Sequence, residues 1–182
     1  DATKPHDHYQ TPRTGPNQGR GVAVGYRWQG GQVSSATIAV NSNGTINLIT
    51  GSVDIGGSRT AVAMQAAEVL GLSAEDVAPT VVDTDTIGFT ANTGGSRTAF
   101  DTGFAAIQAA EDIKRQLIAR AALIWDVEED EITFNAGQFL CARTEDTISI
   151  KDLAARLMRT GGPVTTSVST NSPGIGPVIA GN

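Results

Sequence analysis

The sequence predicts an α+β fold in which a mixed sheet layer carries helices packed on it, one of them long. Three observations point there. Apolar residues alternate on both sides of a turn at 36–48, a second turn-centred alternation lies at 131–141, and two alanine-rich stretches of helical spacing each follow a glycine-rich loop.

Residues 1–20 form an irregular lead-in, with Pro5, Pro12 and Pro16 among polar residues. Gly21 to Trp28 fits a first strand. Ala36, Ile38 and Val40 alternate with polar positions, Asn41-Ser42-Asn43-Gly44 supplies a turn, and Ile46 and Leu48 resume the alternation, so one face of this hairpin is expected to be buried. A helix is expected from Thr60 to Leu70, stopped by Gly71. Ser73 to Asp76 carries a helix-start pattern for one turn, and Thr80 to Asp83 fits a short strand leading into a loop to Thr93.

The long helix follows that loop, with Phe100, Phe104, Ile107, Ala110, Leu117, Ala121 and Ile124 as its apolar stripe. Glu131 to Cys141 fits a hairpin turning at Asn135-Ala136-Gly137. Ser149 and Asp152 begin a helix running to about Met158, closed by Gly161-Gly162-Pro163, with a strand over 163–170. The expected organisation is therefore a lead-in (1–20), one domain (21–170) and a tail (171–182) that reads as truncated before a further segment.

Composition narrows the function classes. The chain has 182 residues, a net charge of −6 and no Lys/Arg-rich stretch, which argues against a nucleic-acid partner. No window approaches the roughly 20 apolar residues of a membrane span. A lone cysteine, Cys141, forms neither an internal disulfide nor a metal or iron–sulfur site by itself, and it fits a small core residue in a reducing, cytoplasmic setting. His6-Asp7-His8 reads as a solvated stretch rather than a metal clip. The acidic run 128–131 reads as a helix end or turn, and Asp83 with Asp85 as a strand-end turn. Phe100 and Phe104 are expected in the core before any substrate cage. No metal ligand is assigned.

The strongest signal is a repeat. Gly-Gly-Ser-Arg-Thr-Ala occurs at 56–61 and again at 94–99, each time where a loop gives way to a helix, and each helix carries Gln-Ala-Ala-Glu (65–68 and 108–111). The first turn of a helix presents N–H groups without internal partners, reinforced by the helix dipole. Paired glycines allow close approach of a ligand, Ser and Thr add hydroxyls, and Arg adds a planar cationic fork suited to phosphate. Neither copy is a Walker A loop or a Gly-x-Gly-x-x-Gly fingerprint. Two other readings stay open at this point: a non-catalytic phosphate- or nucleotide-binding module built on the same helix ends, or an assembly domain whose loops are only turns.

Around the repeat, the chain resembles the molybdenum-binding subunit of the xanthine dehydrogenase and aldehyde oxidase family. The resemblance runs through Asn43-Gly44-Thr45-Ile46, Gly51 to Gly57, Ala66 to Leu72, Val82 to Asp85 and Thr93 to Thr98, covering roughly residues 19–125. It implies a fold like the molybdenum cofactor-binding domains and a pyranopterin dithiolene molybdenum cofactor, in bacteria often the cytosine dinucleotide form. It implies hydroxylation of an N-heterocycle or aldehyde with water-derived oxygen. Electrons would pass to [2Fe–2S] clusters and FAD on partner subunits or domains, or to another acceptor, with the remainder of the molybdenum subunit also a partner. The matching loop assigns cofactor contact to Thr93, Gly94, Gly95, Ser96 and Thr98, with Arg97 beside them. The first loop, Gly56, Gly57, Ser58, Arg59 and Thr60, lacks the glutamine common in relatives, so backbone contact is its expected contribution. The family's catalytic glutamate matches no segment here, so no catalytic residue is assigned, and this stretch alone is expected to be inactive.

Overall fold

A computed structural model describes residues 5–23, 25, 31–80 and 82–171. The expected strand at 21–28 lies largely outside the described residues, and its described positions 21–23 and 25 are irregular. In the lead-in, a one-turn helix α1 (Asp7–Gln10) is capped by the His6 ring, which accepts from the His8 amide at 3.2 Å.

The first hairpin is β1 (Val33–Val40) and β2 (Ile46–Thr50), paired antiparallel with Ile38 opposite Leu48. Ala36, Ile38, Val40, Ile46 and Leu48 all face the core, as their alternation requires. Helix α2 (Ser58–Leu70) then crosses to β3 (Val77–Thr80), which lies parallel to β2. Strand β3 starts three residues before the expected 80–83; Val77 is the buried residue that anchors it beside Ile46, and the more apolar-looking Val82 lies past its end. Strand β7 (Thr165–Asn171) pairs antiparallel with β1 on the other side, giving the order β3-β2-β1-β7. The sheet is therefore mixed, as expected. A second, three-stranded antiparallel sheet holds the 131–141 hairpin, β4 (Ile132–Asn135) and β5 (Gln138–Cys141), plus β6 (Thr147–Ser149), a strand too short to be visible in the sequence pattern.

Helix α3 (Gly103–Trp125) packs against α2, β1 and β7. Its buried face is Ala105, Ala106, Ala109, Ala110, Ile113, Leu117, Ala121 and Ala122, matched on α2 by Val62, Ala63, Ala66, Ala67 and Leu70. Small side chains on both helices allow close approach, and burial of this shared face supplies most of the helices' stability. The expected stripe is displaced at its N-terminal end: Phe100, Phe104 and Ile107 are only half-buried and lie outside the core cluster, because alanines, not aromatics, fill the narrow space against α2. Helix α4 (Ile150–Ala154) starts at Ser149, whose hydroxyl accepts from the Asp152 amide at 3.0 Å, and a 3₁₀ turn continues it to Arg159. Cys141 is fully buried. The acidic run forms a 3₁₀ turn with a capping box between Glu128 and Glu131. No helix among the described residues is long and apolar enough to cross a membrane, and none of them form a group of three or more metal-ligating side chains.

Candidate functional site

The two copies of the repeat meet in space. Ser58 from the first and Thr93, Gly94, Gly95, Ser96 and Thr98 from the second line one open hollow of about 420 Å³, together with Ile55 and Ala99. Those six residues were among the expected contacts. Gly56, Gly57 and Thr60 are exposed beside it, whereas Arg59 and Arg97 point elsewhere.

Each loop makes the same tight turn. The Ser58 amide donates to the Ile55 carbonyl at 3.3 Å, with φ of 62° at Gly56 and 78° at Gly57. The Arg97 amide donates to the Gly94 carbonyl at 3.2 Å, with φ of 60° at both Gly95 and Ser96. Two successive positive φ values are the signature of a type I′ turn. In the first loop the two glycines occupy the left-handed positions; in the second the turn sits one residue later within the repeat and places Ser96 in a conformation that costs a non-glycine residue about 1 kcal/mol or more. The helix after it then opens with a π turn (Thr98–Thr102), a local widening frequent at functional sites. Gln65 of α2 donates from its amide to the Ala99 carbonyl at 3.0 Å, satisfying a backbone acceptor of that turn. Gly103 makes room for this, since a Cβ there would collide with the Gln65 side chain.

The first helix end carries its own anion. Asp54 accepts the Arg59 amide at 3.1 Å and the Ser58 hydroxyl at 3.3 Å, so a carboxylate already sits at the start of α2. Arg59 donates from Nη2 to the Ser52 carbonyl at 3.2 Å, and its Nε is buried without a hydrogen-bond partner among the described residues.

The second loop rests on a buried polar cluster. Arg97 is 1% exposed and bonded throughout: Nε to Asp101 Oδ2 at 2.9 Å, Nη1 to the carbonyls of Ala91 at 2.6 Å and Asn92 at 3.3 Å, Nη2 to the Val33 carbonyl at 3.2 Å and to the Ser34 hydroxyl. Expected as a neighbour of the ligand, Arg97 is instead built into the scaffold, with no direction left in which to present its fork. Thr102 bridges Ser34 at 3.2 Å and Ser52 at 2.8 Å, and Ser35 donates to the Gly88 carbonyl at 2.5 Å. Thr98 donates to Thr93 at 3.3 Å on the wall of the hollow.

The sequence reading missed Asp54, Gln65, Asp101, Thr102, Ser34 and Ser52. Asp101 was findable, since it follows Arg97 by four residues at the start of a helix, where opposite charges meet. The serines and threonines carry no such signal, because the residues they meet are about 50 to 70 positions away.

The arrangement is thus a glycine-opened hollow between two helix beginnings, with hydroxyls on its wall. Residues 3–175 match the family model described as a molybdopterin cofactor-binding domain. The chain belongs to that family. Over 129 residues it is 32% identical to a putative xanthine dehydrogenase molybdenum-binding subunit of Escherichia coli, covering 69% of this chain and 17% of that subunit. Over 122 residues it is 30% identical to the nicotine 6-hydroxylase large subunit of Paenarthrobacter nicotinovorans, covering 66% of this chain and 15% of the relative. Among solved structures, the fold is shared with CO dehydrogenase from Oligotropha carboxidovorans (TM-score 0.71, 24% identity, 79% of this chain and 19% of that one). It is also shared with quinoline 2-oxidoreductase from Pseudomonas putida 86 (TM-score 0.66, 19% identity, 78% and 19%). The chain thus spans under a fifth of each relative's length.

Proposed function

We propose that this molybdopterin cofactor-binding domain serves a molybdenum hydroxylase that oxidises an N-heterocycle or aldehyde with water-derived oxygen. The observation that carries the reading is the hollow between the repeated loops. A Cβ at Gly94 would meet nothing nearer than the Asn92 amide at 3.6 Å, and Cβ atoms at Gly56 and Gly57 would meet nothing within 4 Å, so these backbones lie open to a ligand. Amides and hydroxyls of Thr93, Gly94, Gly95, Ser96 and Thr98 suit the hydrogen-bonding edge of a pterin, and the uncharged wall fits a ring better than a bare phosphate. The residues present fit the group.

When bound, the cofactor supplies the metal that accepts two electrons from the substrate. The residues of this chain bind and orient it: the second loop through backbone and hydroxyl groups, the first through Ser58 and the glycine backbone. Asp54 occupies the N-terminus of α2, so a phosphate is not expected there. No residue of the chain is assigned to proton transfer; that group, and the substrate pocket, belong to the remainder of the molybdenum subunit, and the isolated domain is expected to be inactive. Iron–sulfur and FAD partners, the cytosine dinucleotide form of the cofactor and a cytoplasmic location complete the reading. The relatives named for nicotine, quinoline and xanthine chemistry support an N-heterocyclic substrate.

The test is Gly94→Val in the complete enzyme complex, with molybdenum and pterin measured per complex. Loss of both with assembly intact is expected; full retention overturns the placement of the cofactor against this loop. Nucleotide released on acid treatment should be cytidine-containing.

A further inference from the structure

We infer that Arg97, with Asp101 as its counter-ion, is a positioning residue that fixes the second loop in its ligand-ready shape before any cofactor arrives; this rests on the cofactor-binding reading above. Three observations converge. The guanidinium is fully buried, yet four of its partners lie outside the helix that follows it: the carbonyls of Ala91 and Asn92, just before Thr93 on the wall of the hollow, and Val33 and Ser34 at the start of β1. Between these anchors the chain turns through Gly95 and Ser96, both at a φ of 60°, a conformation that a serine holds only if its surroundings impose it. The counter-ion is itself tied down, because Asp101 Oδ2 also accepts the Gln32 amide at 3.3 Å and the adjoining Thr102 is bonded to Ser34 and Ser52.

The geometry has a consequence for binding. Arg97 reaches the two residues before Thr93 from the C-terminal side of the turn, so it closes the loop Ala91 to Arg97 on itself. A planar fork with five donors is needed for that, and an ammonium group cannot span the same carbonyls. Without the clamp, the turn would relax toward ordinary backbone conformations, and each cofactor would have to order the loop on binding. The identical residue in the first copy, Arg59, holds no such loop: among the described residues its guanidinium reaches the Ser52 carbonyl, and its Nε has no hydrogen-bond partner.

The experiment uses the complete enzyme complex carrying Arg97→Lys, the double change Arg97→Gln with Asp101→Asn, or Gly94→Val as a reporter of the cofactor site itself. Bound molybdenum, pterin fluorescence after oxidative release, the Mo(V) resonance spectrum and assembly are read for each. The expected result is that the two clamp variants assemble with the parental subunit ratio but hold the cofactor about 10–100-fold more weakly, the scale seen when groups that orient a metal centre's ligands are removed. Residual holoenzyme should show a shifted Mo(V) spectrum, and lysine should not rescue. If the double variant fails to assemble, Arg97→Lys, which keeps the buried charge beside Asp101, answers the same question. Full cofactor content and an unchanged spectrum in the clamp variants, alongside an empty Gly94→Val complex, overturn the inference and leave Arg97 as mere fold support. Full content in Gly94→Val as well overturns the cofactor reading on which it depends.

Discussion

The hexapeptide at 56–61 and its copy at 94–99 both begin helices after a type I′ turn, yet the turn falls on Gly56-Gly57 in one and on Gly95-Ser96 in the other. A shift of one residue rotates every following side chain by about 100° around the helix. Arg59 consequently leans across the outside of its loop to Ser52, while Arg97 turns inward to Asp101 and the sheet. At the first helix start an acidic side chain from the preceding loop accepts a backbone amide, whereas at the second the arginine is tied into a buried network with β1 and the loop before Thr93. Identical residues therefore perform different work, because the register of the turn, not the motif, decides which way a side chain faces.

The largest test of this contrast is to remove each arginine in turn. Arg97→Ala removes the cation from beside the buried Asp101 carboxylate, which costs about 3–5 kcal/mol. Arg59→Ala loses one hydrogen bond from a half-buried group and should cost no more than about 1.5 kcal/mol. Denaturant unfolding monitored by far-UV circular dichroism measures both, and equal losses would mean that the two loops are energetically alike after all.

A second comparison concerns the glycines. Gly57 has a φ of 78°, so Gly57→Ala meets no neighbour but must hold a left-handed backbone, at about 1–2 kcal/mol. Gly94 has no such constraint and open space at its Cβ, so Gly94→Ala should change stability by less than about 1 kcal/mol, in either direction. Melting temperatures of the two variants separate backbone strain from crowding, and a larger drop at Gly94 would refute the assignment of the turn.

These differences explain what the sequence could and could not reveal. The hairpin at 33–50, helix α2 with its Gly71 stop, the turn at 135–137 and the Ser149 cap were legible because each depends on residues within a few positions of one another. The strand at 77–80 was misplaced because its burial comes from pairing with β2, and the stripe on α3 was misjudged because its partner is an alanine face 40 residues upstream. Residues of both copies of the repeat do line one hollow. The repeat could not show that the copies differ in register, since the same serine takes a positive φ only in the second copy and the carboxylates of Asp54 and Asp101 lie outside the shared residues. Asp54, in particular, precedes the motif, and nothing in six identical residues predicts that a carboxylate accepts the arginine's backbone amide in one copy and its guanidinium in the other.

That asymmetry yields a third expectation. Asp54→Ala removes the side-chain acceptor for the Arg59 amide and should destabilise by about 1 kcal/mol, the usual value of an N-cap. It should also make the start of α2 exchange its amide protons faster, leaving the protection of residues after Arg97 unchanged. Faster exchange at both helix starts would show that the loops share one support rather than two.

The smallest effect lies along α3, where the helix that follows the second loop is tied to the sheet. The Thr166 hydroxyl of β7 holds the Asp112 carboxyl below its ordinary value of 3.8, with help from Gln116 and Arg115 against the opposing effect of burial. A carboxyl whose folded pKa is depressed adds stability that is present above its unfolded pKa and is lost as the pH falls through the folded one. Asp112→Asn has no such increment to lose. The melting temperatures of parent and variant should therefore differ at pH 6 and converge as the pH is lowered below about 3.8. A gap that stays constant across that range would mean that the Thr166 contact carries no charge-dependent energy, and that α3 is held to β7 by packing and by uncharged bonds such as that from Gln116 to the Thr165 carbonyl.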